Sequence, residues 1–218
     1  MLLAADTSTE MMGIALRSEF KIISEMMART RKYHTVELGQ AVDRIFERQG
    51  ISPGELRALG VAVGPGSFTG LRIGLAFVKG ISYARQIPIV GVPTLDITAS
   101  GLPIDPDREL VALLRAGRGR LAAGWYRASQ EGWVSTGELQ NLTPDQLLET
   151  ITQPTLLSGE IPQDLLIRIK EHEQVKAVQP AQAVRRPAVL ADLAWKRWKA
   201  GVVDDPASLS PIYLQRGS

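Results

Sequence analysis

The chain has 218 residues and a formal net charge of +2, with 44% hydrophobic and 22% charged residues, a balance that fits a globular protein of one large or two small domains. It contains no cysteine, which excludes disulfides, thiolate metal sites and thiol nucleophiles. No apolar run reaches the length of a membrane span, and Met1-Leu2-Leu3-Ala4-Ala5-Asp6 has no basic region before its apolar residues, so a cytoplasmic protein is expected.

Leu2 to Ala5 reads as a buried first strand ending at Asp6. Residues 13–17 and 21–26 read as two more strands joined by the turn Arg17-Ser18-Glu19-Phe20, which predicts an antiparallel meander. A helix follows from His34-Thr35. Its Leu38, Ala41, Val42, Ile45 and Phe46 fall on one face, with Thr35 as candidate N-cap and Gly50 as candidate C′ residue. Leu59 to Val63 is a short β-branched strand, and Leu71 to Arg85 a helix carrying Leu71, Leu75, Val78 and Ile81 at helical spacing. Residues 87–92 make a fifth strand, and Thr94 opens a short helix through Ser100.

Between the fourth strand and the second long helix lies Gly64-Pro65-Gly66-Ser67-Phe68-Thr69-Gly70-Leu71-Arg72-Ile73-Gly74. Glycines on a strand-to-helix turn permit positive φ and close approach, and Ser67 or Thr69 is placed to cap the helix. The free amides of such a terminus suit a phosphate or carboxylate. Two phosphate motifs fail here. The nucleotide P-loop needs Lys and Ser/Thr after its last glycine, where this chain has Leu71 and Arg72. The dinucleotide fingerprint needs a glycine at Thr69. The competing explanation is a tight turn whose glycines serve only close helix–strand packing.

Gly101-Leu102-Pro103-Ile104-Asp105-Pro106-Asp107 is a Pro/Asp-rich break, which sets the expected subdomains at residues 1–102 and 103–218. Residues 109–114, 120–128 and 132–139 read as a second set of three strands. A helix starting at Thr143-Pro144, a strand over 155–159, a helix over 162–171 and a strand over 175–178 follow. Residues 187–200 form the last helix, and the tail from Val202 reads as irregular. Meander then alternation thus occurs twice, without a matching internal sequence repeat.

Few residues announce chemistry. Asp6, followed by Thr7, Ser8 and Thr9, suits either a hydrated Mg²⁺ or a turn. His34 and His172 are the only histidines, and position i+4 from His34 is Leu38, so no paired-histidine metal site is supported. No Gly-x-Ser-x-Gly elbow occurs. Trp125, Tyr126, Trp133, Trp195 and Trp198 suit base stacking or core packing. Arg108, Arg115, Arg118, Arg120 and Arg127 cluster in sequence, as do Lys196, Arg197 and Lys199, giving either RNA contacts or solvated faces.

Residues 2–9, Tyr33-His34-Thr35, the eleven-residue glycine stretch and Gly91-Val92-Pro93-Thr94-Leu95 resemble the bacterial TsaB family, also called YeaZ. The resemblance is close over residues 1 to about 100 and thins afterwards. The Pro211-Ile212-Tyr213-Leu214 ending is similar, with Gln215 where arginine is usual. It implies an α/β fold of the actin-like ATPase type (ASKHA, ribonuclease H-like), with two related subdomains, each a mixed sheet with flanking helices. It implies a non-catalytic scaffold in the addition of the threonylcarbamoyl group to tRNA adenosine next to the anticodon. The implied partners are TsaD, TsaE and tRNA through the complex, with a homodimer when TsaD is absent. No catalytic residue, metal or tightly held cofactor is implied, and ATP or ADP is expected only at the interface with TsaD. One segment departs from the family: Arg115-Ala116-Gly117-Arg118-Gly119-Arg120 stands where an Asp-Ala-Arg motif is usual.

The residues expected to contact nucleotide or an interface are Asp6, Thr7, Gly64, Gly66, Ser67, Thr69, Gly70 and Arg72. Those expected to meet a partner are His34, Ile73, Gly74, Phe77 and Gly80. The rival readings are an ATP-dependent phosphotransferase of the actin/sugar-kinase fold and a glycoprotease-type metallopeptidase.

Overall fold

The computed structural model describes residues 1–30 and 34–214, except for the side chains of His34 and Thr35. The chain divides into two compact units, Met1–Thr94 with Arg186–Tyr213, and Leu95–Arg185 with the residues from Leu214 onward. The boundary expected at 102/103 differs from this division in two ways. The break falls at the start of a helix, and the last helix returns to the first unit.

The first unit holds β1 (Leu2–Asp6), β2 (Met11–Arg17), β3 (Ile22–Arg29), α1 (His34–Gln49), β4 (Ala58–Gly64), α2 (Phe68–Arg85), β5 (Ile89–Pro93) and the start of α3 (Thr94–Ser100). Its sheet runs β3-β2-β1-β4-β5. The first three strands are antiparallel neighbours, and β1, β4 and β5 are parallel. Strand alternation divides the side chains between two faces. Leu3, Ala5, Leu59, Val61 and Val63 join the core built with Leu38, Val42, Ile45 and Phe46 of α1 and Leu75 and Val78 of α2. The other face takes α6 (Pro187–Lys199), whose Pro187, Ala188, Leu190, Ala191 and Ala194 are buried. Small residues set that close approach, since a Cβ added at Gly60 would lie 2.7 Å from the Ala194 Cβ. This packing against β1, β2 and β4 draws residues 186–213 back to the first unit.

The second unit repeats the topology. Its strands are β6 (Glu109–Arg115), β7 (Leu121–Ser129), β8 (Gly132–Ser135), β9 (Gln140–Leu142), β10 (Thr155–Gly159) and β11 (Val175–Ala177). The order is β11-β10-β6-β7-β8, with β9 also paired to β7. Of the strand expected over 132–139 only β8, Gly132–Ser135, forms; Thr136 N–H still donates to Trp125 O at 2.9 Å, and β9 is a further strand that pairs with β7 at Leu121–Ala123. α4 (Pro144–Thr150) starts with a capping box in which Thr143 and Gln146 satisfy each other's amides. α5 (Gln163–Arg168) tightens into a 3₁₀ turn over Ile169–Glu171. One face of the sheet packs Val111, Leu113 and Ala123 against Leu147, Leu157 and Leu165. The other packs Leu110, Ala112 and Ala122 with Tyr126 and Trp133. Tyr126 and Trp133 are thus core, and Trp125 packs half-buried against the opposite face.

Two helix starts differ from the sequence reading. α2 begins at Phe68, three residues early, because Ser67 caps it: its hydroxyl accepts the Gly70 N–H at 3.2 Å. Thr35 lies within α1, while Gly50, at φ +63°, follows its C-terminus as expected.

Candidate functional site

The carboxyl ends of β1 and β4 adjoin where the strand order reverses, the usual ligand position in open α/β sheets. Here the chain itself fills that position. Asp6 is buried, and its Oδ1 accepts the Ser8 N–H at 2.9 Å and the Ser8 hydroxyl at 2.6 Å. The Ser67 N–H donates to Ser8 O at 2.6 Å, and the Thr7 hydroxyl donates to Gly70 O at 2.7 Å. The glycines follow from this closeness. A Cβ at Gly66 would overlap Ser8 O, one at Gly70 would overlap Thr7 O, and one at Gly74 would overlap the Thr7 hydroxyl. Gly64, at φ +112°, has Ile212 O where a Cβ would go, and Ile212 N–H donates to Val63 O at 2.7 Å. Thus Thr7 and Ser8 from one side and Ile212 from the other close round the turn.

Among the described residues nothing covers the outer face of α2. Leu38 of α1 and Phe68, Thr69, Arg72, Ile73, Ala76 and Phe77 of α2 line a groove of about 490 Å³. Leu38 forms the floor, fully buried, whereas Phe68 remains 54% exposed. The Arg72 guanidinium lies 3.8 Å from the Phe68 ring centroid, and its Nε–H donates to the Tyr213 hydroxyl at 3.1 Å. Tyr213 in turn tilts against Phe68 at 5.2 Å. This orders one rim of the groove. Along the helix, Thr69, Ile73, Ala76 and Gly80 continue the same stripe, and small residues there admit the close approach of another helix.

The expected site residues therefore fall into two groups. Asp6, Thr7, Gly64, Gly66, Ser67, Gly70 and Gly74 belong to the closed turn. Thr69, Arg72, Ile73 and Phe77 line the groove, and Gly80 extends it. The side chain of His34 lies outside the described residues. Among the described residues no three His, Asp or Glu side chains converge as metal ligands, and no helix is long and apolar enough to cross a membrane. The arginines of the second unit are largely tied down. Arg108 pairs with Asp105, Arg127 with Glu109, and Arg120 donates to Asn141. Arg115 and Arg118 are exposed at the β6–β7 hairpin, whose turn places Arg118 and Gly119 at positive φ.

Comparison with known proteins fits this geometry. A family model described as TsaD, tRNA N6-adenosine threonylcarbamoyltransferase, matches residues 21–180. The tRNA threonylcarbamoyladenosine biosynthesis protein TsaB of Bacillus subtilis strain 168 is 34% identical across 98% of this chain and 93% of its own length. The chain belongs to the TsaB family. Two solved YeaZ-type structures from Pseudomonas aeruginosa, at 23% and 24% identity, cover 98% of the chain and 99% of their own, with TM-scores of 0.80 and 0.78. The two mixed sheets with flanking helices are accordingly an actin-like fold.

In this TsaB-family chain, sequence reading missed Leu38 as a groove residue, along with Phe68 and Tyr213, whereas Ala76 reads from the sequence as a small residue that admits another helix. Phe68 and Arg72 stand at i and i+4, a spacing that puts them side by side. Nothing in the sequence links Tyr213 to Arg72 across 141 positions.

Proposed function

We propose that the chain acts in the biosynthesis of tRNA threonylcarbamoyladenosine as a non-catalytic scaffold that pairs with TsaD through the α1–α2 groove. The observation that carries this reading is the contrast on α2: the turn that would hold a phosphate is filled by Thr7 and Ser8, while the apolar groove beside it is open. A surface helix of an isolated domain needs one apolar face; on α2 that face is widened by Ile73 and Phe77, which pack half-buried against the core and also line the groove. Covering that face would contribute on the order of 2 kcal/mol for each large side chain it buries.

In this reading TsaE joins the pair, tRNA is met through the complex, and ATP or ADP lies at the interface with TsaD. The same groove closes a homodimer when TsaD is absent, and the complex is cytoplasmic. The phosphotransferase reading needs phosphate room at the glycine turn, which Thr7 and Ser8 occupy. The metallopeptidase reading needs a ligand four residues after His34, where the buried Leu38 stands.

Co-purification with TsaD from the same organism tests the proposal. The wild-type chain is expected to capture TsaD, whereas Ala76→Arg, a change at an exposed groove position, is expected to weaken capture strongly without unfolding the chain. Retention of TsaD by a folded Ala76→Arg chain would place the interface elsewhere. Steady-state phosphate release with Mg²⁺ by the chain alone, lost in Asp6→Asn, would favour the phosphotransferase.

A further inference from the structure

On the opposite face of the same sheet, α6 and the β2–β3 turn build a second surface. Ala188, Ala191 and Ala194 let α6 lie flat on the sheet, so its two indoles, half-buried, are left at the flank and the last turn. Trp195 and Trp198 meet edge to face at 5.0 Å. The Arg17 guanidinium stands 4.4 Å from the Trp195 centroid, held there by Asp192 at 2.6 Å. The Lys199 ammonium lies 5.8 Å and 5.9 Å from the two indole centroids and 3.9 Å from Glu19 of the turn. Next to Glu19, Phe20 is 92% exposed. Lys21 and Lys196 are exposed and make no ion pair among the described residues.

We infer that this surface of Phe20, Lys21, Trp195, Lys196, Trp198 and Lys199 binds tRNA directly. Both local acids, Glu19 and Asp192, are already engaged by Lys199 and Arg17, so Lys21 and Lys196 set the outward field. Aromatic rings interleaved with cations are the composition of a base-stacking platform with phosphate contacts. Protein–protein interfaces are depleted of lysine at their centre. Naming tRNA as the RNA rests on the proposed function; the surface does not, because α1 and α2 lie on the other face of the sheet. TsaD and tRNA can therefore engage the chain together.

The test uses the full chain and a fluorescein-labelled, unmodified tRNA transcript, followed by anisotropy across a salt series. Phe20→Ala is expected to weaken binding about tenfold. Lys21→Gln with Lys196→Gln is expected to flatten the log–log salt slope by about 1 to 2. Both changes sit on exposed side chains, so the fold is retained, and wild-type tryptophan fluorescence is expected to quench on titration. Wild-type affinity in Phe20→Ala together with an unchanged slope overturns the inference. So does loss of TsaD capture by these variants at unchanged tRNA affinity, which would make the surface a protein dock. The titration contains no TsaD, so its outcome is read independently of whether α2 carries the TsaD interface.

Discussion

The two faces of α2 received the same kinds of residue and put them to opposite use. On the inner face Gly70 and Gly74 bring the helix onto Thr7 until no side chain fits between. On the outer face Ala76 and Gly80 leave space that nothing in the described chain occupies. Small residues on a helix are thus ambiguous until their neighbours are known. Where a carbonyl sits at the position of the missing Cβ, the glycine serves the fold; where there is open space beside Ile73 and Phe77, nothing in the described chain requires it.

Four substitutions probe that contrast. Gly70→Ala drives a methyl into Thr7 O, and urea denaturation is expected to show a loss of about 3 kcal/mol or more. A loss under 1 kcal/mol would mean that the Thr7–Ser8 segment yields easily and that a phosphate could displace it. Ala76→Arg is expected to leave the denaturation midpoint near wild type while weakening TsaD capture by ~30-fold, the effect of ~2 kcal/mol at an interface centre. Ser67→Ala removes the cap on Gly70 N–H and is expected to cost about 1 kcal/mol, read as a shifted midpoint with an unchanged slope. Gly80→Ala meets no atom within 4 Å and is expected to stabilise the free chain by roughly 0.5–1 kcal/mol while weakening TsaD capture. Stabilisation with undiminished capture would take Gly80 out of the interface.

Much of the fold was legible because periodicity reports burial. The α1 stripe of Leu38, Ala41, Val42, Ile45 and Phe46 is buried throughout, and the meander-then-alternation order recurs in both sheets. The glycine turn was legible as a close approach, but not what approaches: Thr7 and Ser8 carry no mark that their carbonyl oxygens rather than an anion would meet the helix. The groove was half legible. Ile73 and Phe77 stand off the buried stripe, whereas the Tyr213–Arg72–Phe68 rim depends on a contact between distant segments that local pattern does not encode. The division into units was legible only in part for the same reason. Proline and aspartate at residues 103–107 mark a turn, but the return of α6 to the first sheet is a matter of tertiary packing.

That return has a consequence for how the chain is made. The larger part of the second unit, Leu95–Arg185, is inserted between the two stretches that build the first. As the polypeptide leaves the ribosome, the sheet that carries the groove emerges early, yet one of its faces stays bare until α6 arrives about a hundred residues later. All six strands of the inserted unit are synthesised before the host's α6. During that interval Leu2, Ala4 and Gly60 line an uncovered apolar face, so the nascent chain is most in need of chaperone protection between the synthesis of β5 and that of α6.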